Sequence, residues 1–292
     1  MKIIDLFENK KTVISFEIFP PKQDAPLDKI YNLLEHFKLL NPDYISVTYG
    51  AGGNTRGRTI EIAEKLKYKY NIESMVHLTC VNHTEQQIEN LLVLIKEKGL
   101  KNILALRGDP PKNQPGYDFT KNYYKHAYEL IQHIKQRYSF CIAAAAYVEG
   151  HVESRRLSDD LAHLKNKVDA GVDFLITQFF FDNRIFYDFL DKLASVNINC
   201  PVAAGIMPVF NADRIKEIAA KSGCSIPAKL VLLMDKYRLS PDDMLKAGIE
   251  YAAVQIRDLI DNRVDGIHIY TMNRYDSTRD ILEQAGILQV YA

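Results

Sequence analysis

The 292-residue chain has no tryptophan, only four cysteines and no excess of charge of either sign. Its 37 lysines and arginines balance 37 acidic residues, which argues against a nucleic-acid-binding surface and against an acidic disordered tail. No stretch reaches the roughly 18 consecutive apolar residues of a membrane-spanning helix, and residues 1–11 lack the apolar segment of a secretory signal. We therefore expect a cytoplasmic protein that binds neither nucleic acid nor membrane.

Several common functional motifs are also missing. The cysteines lie far apart without a CxxC pair, which argues against a disulfide scaffold and a zinc ribbon. There is no P-loop, HExxH or GxSxG motif, and the scattered histidines do not form a convincing metal set, so no metal is expected. The segment Gly50-Ala-Gly-Gly53 lacks the third spaced glycine of a classical dinucleotide-binding fingerprint, because Thr55 holds that place.

The chain instead contains eight short apolar runs that alternate with helical patterns. They cover 12–19, 44–49, 73–80, 102–107, 140–147, 172–178, 201–206 and 266–271. This alternation predicts parallel strands joined by right-handed crossovers, and eight such units are typical of an α/β protein with a (β/α)₈ TIM barrel. Extra helices are predicted between strands 7 and 8, over 227–238 and 242–261. We predict one catalytic barrel domain over residues 1–292; an open doubly wound sheet is the alternative.

Most of these runs end on a polar or charged side chain that could take part in binding or catalysis. In chain order the ends carry Glu17, Thr48, His77, Arg107 with Asp109, Tyr147, Gln178 and Thr271, whereas the seventh ends at Gly205. The carboxyl ends of barrel strands form one mouth, where active sites lie. Strand alternation places Glu17 inside the barrel, where a carboxylate is costly unless it is paired or functional. Two plain alternatives remain open: His77 as a core residue, and an Arg107–Asp109 ion pair.

Eight segments, in order from about residue 12 to 285, resemble the 5,10-methylenetetrahydrofolate reductases. They are Ser15-Phe-Glu-Ile-Phe-Pro-Pro21, Ser46-Val-Thr-Tyr-Gly-Ala51, His77-Leu-Thr-Cys80, Leu106-Arg-Gly-Asp109, Lys167-Val-Asp-Ala-Gly171, Thr177-Gln-Phe-Phe-Phe-Asp182, Gly205-Ile-Met-Pro208 and Tyr270-Thr-Met-Asn-Arg274. The resemblance implies an FAD-dependent barrel of the short bacterial type, without a regulatory domain. It also implies a homo-oligomer that uses NADH or NADPH to reduce 5,10-methylenetetrahydrofolate to 5-methyltetrahydrofolate in a ping-pong cycle.

The resemblance assigns roles in this reaction. Glu17 corresponds to the general acid, which protonates N10 of the folate and opens the methylene bridge to an N5 iminium cation that accepts hydride from flavin N5. Asp109 corresponds to a catalytic aspartate near the flavin and pterin, where negative charge favours the cation. Gln178 corresponds to a pterin-binding glutamine. Arg274 and Arg214 are expected at the anionic folate tail, and Ile218 stands where some relatives carry an aromatic residue.

The resemblance also implies a set of FAD contacts. They are Thr48, His77, Arg107, Gly108, Asp109, His126, Ala127, Tyr147, His151, Asp160, His163 and Lys167. Arg107 and Lys167 suit the phosphates, and His163 has a plain alternative as a solvated helix residue. Two other functions remain open: a different flavin-dependent barrel enzyme, resembling proline dehydrogenase, and a folate- or flavin-binding module without catalysis.

Overall fold

Eight parallel strands close a single barrel in the order β1 to β8, which confirms the predicted (β/α)₈ fold. The computed structural model describes residues 1–22, 25–49, 56–111, 114 and 116–288; Gly50–Gly53 and Thr55 lie outside these ranges. The strands are β1 Val13–Ile18, β2 Tyr44–Val47, β3 Glu73–Thr79, β4 Asn102–Leu106, β5 Cys141–Ala146, β6 Phe174–Thr177, β7 Val202–Ile206 and β8 Gly266–Tyr270.

Helices alternate with these strands, and all but the first cover the outside of the barrel. They are α1 Ile4–Asn9, α2 Asp28–Leu39, α3 Arg56–Tyr68, α4 Glu85–Glu97, α5 Ala127–Arg137, α6 Leu157–Asp169, α7 Asn183–Ser195, α8 Ala212–Ser222, α9 Ala228–Lys236, α10 Pro241–Asp261 and α11 Tyr275–Gln284. A short 3₁₀ helix covers Phe119–Lys121. Helices α9 and α10 confirm the extra helices predicted between strands 7 and 8.

Helix α1 seals the amino-terminal end of the barrel and was not predicted. Ile3 and Leu6 are buried with inward-facing residues such as Tyr44, and the rings of Phe7 and Phe174 are 5.0 Å apart. A six-residue helix is too short to give a clear helical period in the sequence. Because α1 closes this end with apolar side chains, polar groups inside the barrel are reached from the carboxyl end.

Gly205 lies near the end of β7, at a position where a side chain would collide with Tyr270 of β8. A β-carbon on Gly205 would lie 2.9 Å from Cε2 of Tyr270 and 2.3 Å from the carbonyl oxygen of Thr177. The hydroxyl of Tyr270 donates a hydrogen bond of 2.8 Å to that same oxygen. Because Gly205 has no side chain, the Tyr270 ring can extend from β8 over β7 and reach the end of β6.

Within the described ranges, no helix is both long enough and apolar enough to cross a bilayer. The assignment of residues 1–292 to one catalytic domain stays a prediction.

Replacing Gly248 with alanine tests how tightly α10 packs on the barrel. A β-carbon there would lie 1.7 Å from the carbonyl oxygen of Val209. Either α10 or the loop that follows β7, which contains Val209, would therefore have to move. We expect the free energy of unfolding in a urea titration to fall by about 1–3 kcal/mol, the usual cost of overpacking. Gly57→Ala in α3 is the control, because its β-carbon meets no described atom within 4 Å. Equal stability of the two variants would contradict this packing.

Candidate active site

A cavity of about 710 Å³ lies at the carboxyl ends of the strands. Fourteen of the sixteen residues proposed for the site from the sequence line it: Glu17, Thr48, His77, Arg107, Gly108, Asp109, His126, Ala127, Tyr147, His151, Asp160, His163, Lys167 and Gln178. They come from positions far apart in the chain and meet because parallel strands end at one face. Their catalytic and binding roles stay predictions.

Glu17 lies between two imidazole rings inside the barrel. Its Oε2 is 3.7 Å from Nε2 of His77 on β3 and 3.8 Å from Nε2 of His268 on β8. Burial lowers the pKa of His77 to about 4, so this ring is neutral near pH 7. Nε2 of His77 is buried and has no hydrogen-bond partner within the described part of the chain. A ligand with a polar group at this point would satisfy it.

Arg107 does not pair with Asp109, so the alternative of a simple Arg107–Asp109 pair is wrong. Its guanidinium donates two hydrogen bonds to the carboxylate of Glu153, of 2.6 and 2.8 Å, and its Cζ is 4.1 Å from the ring centre of Phe119. This bidentate geometry fixes the plane of the guanidinium. Asp109 is exposed and reaches the cavity wall beside the pair.

Gly108 gives the backbone between these two residues a conformation that other residues rarely adopt. Its φ is +88°, and a β-carbon would lie 2.9 Å from Cβ of Thr79. The chain therefore passes close to the end of β3 and turns Asp109 towards the cavity.

Lys167 on α6 supplies a second cation to the cavity. Its ammonium donates a 2.8 Å hydrogen bond to the carbonyl oxygen of Ala145. Burial lowers its pKa to about 8, while the opposing charge of Asp160 favours the protonated form. Asp160 is itself held by a hydrogen bond of 3.0 Å from the hydroxyl of Ser154. Lys167 and Arg107 together suit an anionic ligand such as a pyrophosphate.

Aromatic and imidazole rings form another part of the wall. Tyr147 and His151 meet edge to face at 4.6 Å, while His126 and His163 lie nearly parallel with centres 6.4 Å apart. His163 is exposed yet lines the cavity, so it faces both solvent and a possible ligand. Flat rings of this kind suit a ligand with planar ring systems.

Gln178 presents one end of its amide to the cavity. Its Oε1 accepts a 3.0 Å hydrogen bond from the backbone N–H of Phe179, which orients the side chain. The NH₂ group is therefore the end available to a ligand acceptor.

Arg214 and Arg274 lie outside the lining of the cavity. Both are exposed at the carboxyl end of the barrel, and Cζ of Arg274 lies 4.8 Å from the ring centre of Phe210. Ile218 is partly buried against the apolar cluster that joins α8 to the extra helices. The role of the two arginines in binding an anionic tail stays a prediction.

Sequence reasoning missed several residues of this site. Glu153, the partner of Arg107, is 46 positions away in the chain, and no spacing rule connects them. His268 and Tyr270 could have been found, because they alternate on the inner face of a predicted strand. Among the residues that the structure describes, no group of three or more His, Cys, Asp or Glu side chains could hold a metal ion.

Comparison with known proteins shows what this chain is similar to. A family model described as methylenetetrahydrofolate reductase matches residues 2–286. The 5,10-methylenetetrahydrofolate reductase of Escherichia coli (strain K12) is 33% identical over 274 residues, covering 94% of this chain and 90% of that protein. The probable methylenetetrahydrofolate reductase (NADH) of Oryza sativa subsp. japonica is 33% identical over 304 residues.

The rice alignment covers 99% of this chain but 51% of the rice protein, so the chain spans about half the length of the plant relatives it matches. Among solved structures, an uncharacterised protein from Clostridium thermocellum, described as binding two copies of 5-methyl-5,6,7,8-tetrahydrofolic acid, superposes with a TM-score of 0.59 at 13% identity and covers 96% of each chain. At that identity the likeness shows the fold alone.

The cavity should bind a pyrophosphate diester less tightly as the pH rises through 8. Lys167, with its pKa of about 8, loses its charge over this range, whereas the hydrogen bonds to Glu153 raise the pKa of Arg107. From pH 7 to 9 we expect the affinity for FAD, measured by fluorescence quenching on flavin-free protein, to fall about tenfold, because binding favours the protonated lysine.

Two lysine variants control this measurement. Lys167→Met should bind FAD weakly and with no comparable pH dependence. Lys165→Met removes a cation on the same helix that pairs with Asp169, and it should retain the wild-type profile. A wild-type affinity that is flat between pH 7 and 9 would rule out this role of Lys167.

Proposed function

Because the chain belongs to the methylenetetrahydrofolate reductase family, we propose that it reduces 5,10-methylenetetrahydrofolate to 5-methyltetrahydrofolate. We further propose that FAD is the bound cofactor and that a nicotinamide dinucleotide is the reductant. The nicotinamide and the folate use the same cavity in turn, in a ping-pong cycle. The relatives from rice and Arabidopsis thaliana carry NADH in their names, which supports NADH over NADPH.

The position of Glu17 is the observation that carries this proposal. Its side chain is 19% exposed and reaches the wall of a cavity large enough for a ring system. The methylene bridge of the substrate is stable until N10 is protonated, so a proton donor is required. We assign this step to Glu17: its O–H bond breaks, an N10–H bond forms, and the bridge opens to a cation at N5.

The residues of the cavity fit FAD. Arg107 and Lys167 are cations suited to its pyrophosphate, Nε2 of His77 is a buried polar atom that lacks a partner among the described residues, and Tyr147 and His151 offer ring faces and edges. When bound, FAD would accept hydride from the nicotinamide and pass it to the folate.

Four further residues act on the folate in this proposal. Asp109 places a negative charge at the cavity wall, which favours the cation at N5 over the neutral closed ring. The NH₂ group of Gln178 donates to an acceptor on the pterin, and so orients the ring. Arg214 and Arg274 are exposed at the same end of the barrel and bind the anionic tail of the folate beyond the cavity.

Assembly and location rest on the resemblance. We expect a homo-oligomer located in the cytoplasm.

A two-step anaerobic absorbance experiment tests the function. We expect NADH to bleach the flavin absorbance of the FAD-loaded protein and 5,10-methylenetetrahydrofolate to restore it, because each substrate reacts with the same cofactor in turn. NADPH is the matched comparison. Bleaching without recovery would indicate a different flavin enzyme, and no bleaching would indicate a binding module.

Glu17→Gln separates the two halves of the cycle. The amide preserves size and polarity but cannot supply the proton, so the folate half-reaction should slow by about 10²–10⁴-fold, the usual contribution of a general acid. Bleaching by NADH and the affinity for FAD should stay within about twofold, because no proton from Glu17 enters that half-reaction. Stopped-flow absorbance measures both. Folate turnover close to that of the wild type would remove Glu17 from this role.

A further inference from the structure

The turn that follows β8 is bonded to the end of β1, the strand that carries Glu17. The backbone register of the two strands pairs Glu17 with Tyr270, the last residue of β8. Beyond that pair, side chains of the turn hold β1. The hydroxyl of Thr271, which is fully buried, donates a 2.7 Å hydrogen bond to the carbonyl oxygen of Glu17. Asn273 then reaches Phe19, just after the end of β1.

The side-chain amide of Asn273 pairs with the backbone of Phe19 in both directions. Its Oδ1 accepts a 3.1 Å hydrogen bond from the Phe19 N–H, and its Nδ2 donates one of 2.9 Å to the Phe19 carbonyl oxygen. The backbone N–H of Asn273 donates to the hydroxyl oxygen of Thr271 at 3.2 Å. An ionised aspartate could not make both bonds to Phe19, because a carboxylate only accepts.

The backbone of this turn is left-handed at two consecutive residues. The φ of Met272 is +52° and that of Asn273 is +55°. Asparagine adopts this region more readily than most residues, whereas methionine does so at a cost. Such strain persists only where the surrounding structure holds it in place. The hydrogen bonds to Glu17 and Phe19 do this, so the turn is a fixed connection between β8 and β1.

The carboxylate of Glu17 is placed by its backbone, because hydrogen bonds of its own do not hold it. Among the residues that the structure describes, no group donates a hydrogen bond to it. The Nε2 atoms of His77 and His268 lie 3.7 and 3.8 Å from Oε2, beyond hydrogen-bond distance. Proton transfer needs a donor within about 2.6–3.2 Å of the acceptor. A small shift of the end of β1 would therefore move the acid out of reach.

We propose that Asn273 is a positioning residue, which holds the end of β1 so that Glu17 stays within reach of N10 of the folate. This inference rests on the proposed function of Glu17, and Asn273 itself neither gains nor loses a proton. Arg274, at the start of α11, belongs to the same turn, and its backbone N–H donates to the carbonyl oxygen of Thr271 at 3.0 Å. The turn therefore fixes the acid relative to the arginine proposed for the folate tail.

Asn273→Gly tests this positioning in the FAD-loaded, NADH-reduced protein. Glycine accepts a positive φ, so the variant removes the two amide bonds without straining the turn. At saturating 5,10-methylenetetrahydrofolate we expect flavin reoxidation to be about tenfold slower than in wild type, because the acid is misplaced. Bleaching by NADH and the affinity for FAD should stay within about twofold.

Asn197→Gly is the matched control. Asn197 is an exposed asparagine with a φ of +56°, and it lies between α7 and β7, at the other end of the barrel. This variant makes the same chemical change in the same backbone conformation, so it should retain the wild-type rate of reoxidation.

The Glu17→Gln background shows whether Asn273 acts through the acid. With no acid to position, adding Asn273→Gly should slow the remaining folate reaction by less than about twofold. A residue that only stabilised the fold, or that acted through Arg274, would cause the same tenfold loss in both backgrounds. That result, or an unchanged rate in the single variant Asn273→Gly, would overturn the inference.

Amide hydrogen exchange of the resting protein tests the pairing of Asn273 with Phe19 independently of the reaction. In Asn273→Gly we expect the Phe19 amide proton to exchange about tenfold faster than in wild type, because it has lost its acceptor. The Ile14 amide, which donates to the side chain of Asp43 near the start of β1, is the internal control and should not change. Equal exchange at Phe19 in the two proteins would overturn the proposal. Faster exchange in a protein that does not reduce the folate would instead contradict the proposed function and leave the pairing intact.

Discussion

The interior of this barrel is organised by one constraint, which is that a carboxylate cannot be placed among apolar side chains without polar neighbours. Glu17 meets this constraint through two imidazoles at nearly equal distances, 3.7 and 3.8 Å. Each ring is fixed by its own surroundings: burial keeps His77 neutral, and Ser15 binds Nδ1 of His268. The polar side chains of β8, β1, β2 and β3 therefore form one connected group around Glu17.

A second region of charge lies near the rim, on the loop after β4 and on helix α6. There Arg107 is held by Glu153 and Lys167 is opposed by Asp160, so each cation has an acidic neighbour. Glu153 is largely exposed at 54%, which keeps the energy of its ion pair modest. The carboxylate orients Arg107 while leaving its charge accessible to a stronger anion.

The fold could be predicted almost completely from the sequence, and the site only in part. Apolar runs and their helical intervals are local signals, so all eight strands and the extra helices between β7 and β8 were recognised. Helix α1 was missed because six residues carry too little periodicity. Glu153 was missed for a different reason: its importance comes from its contact with Arg107, 46 positions away in the chain, which no local pattern encodes. His268 was missed although the alternation of β8 places it on the inner face of the barrel.

The opposite wall explains how a ring system could reach the acid. The inner faces of β5 and β7 carry small residues, Ala143 and Ala203 deep in the barrel and Ala145 and Gly205 nearer the mouth. Ala145 leaves space on this side of the cavity, whereas the Tyr270 ring occupies the space at Gly205 and the histidines and Glu17 fill the other side. Glu17 of β1 and the cations that follow β4 and lie on α6 therefore face the cavity from different elements.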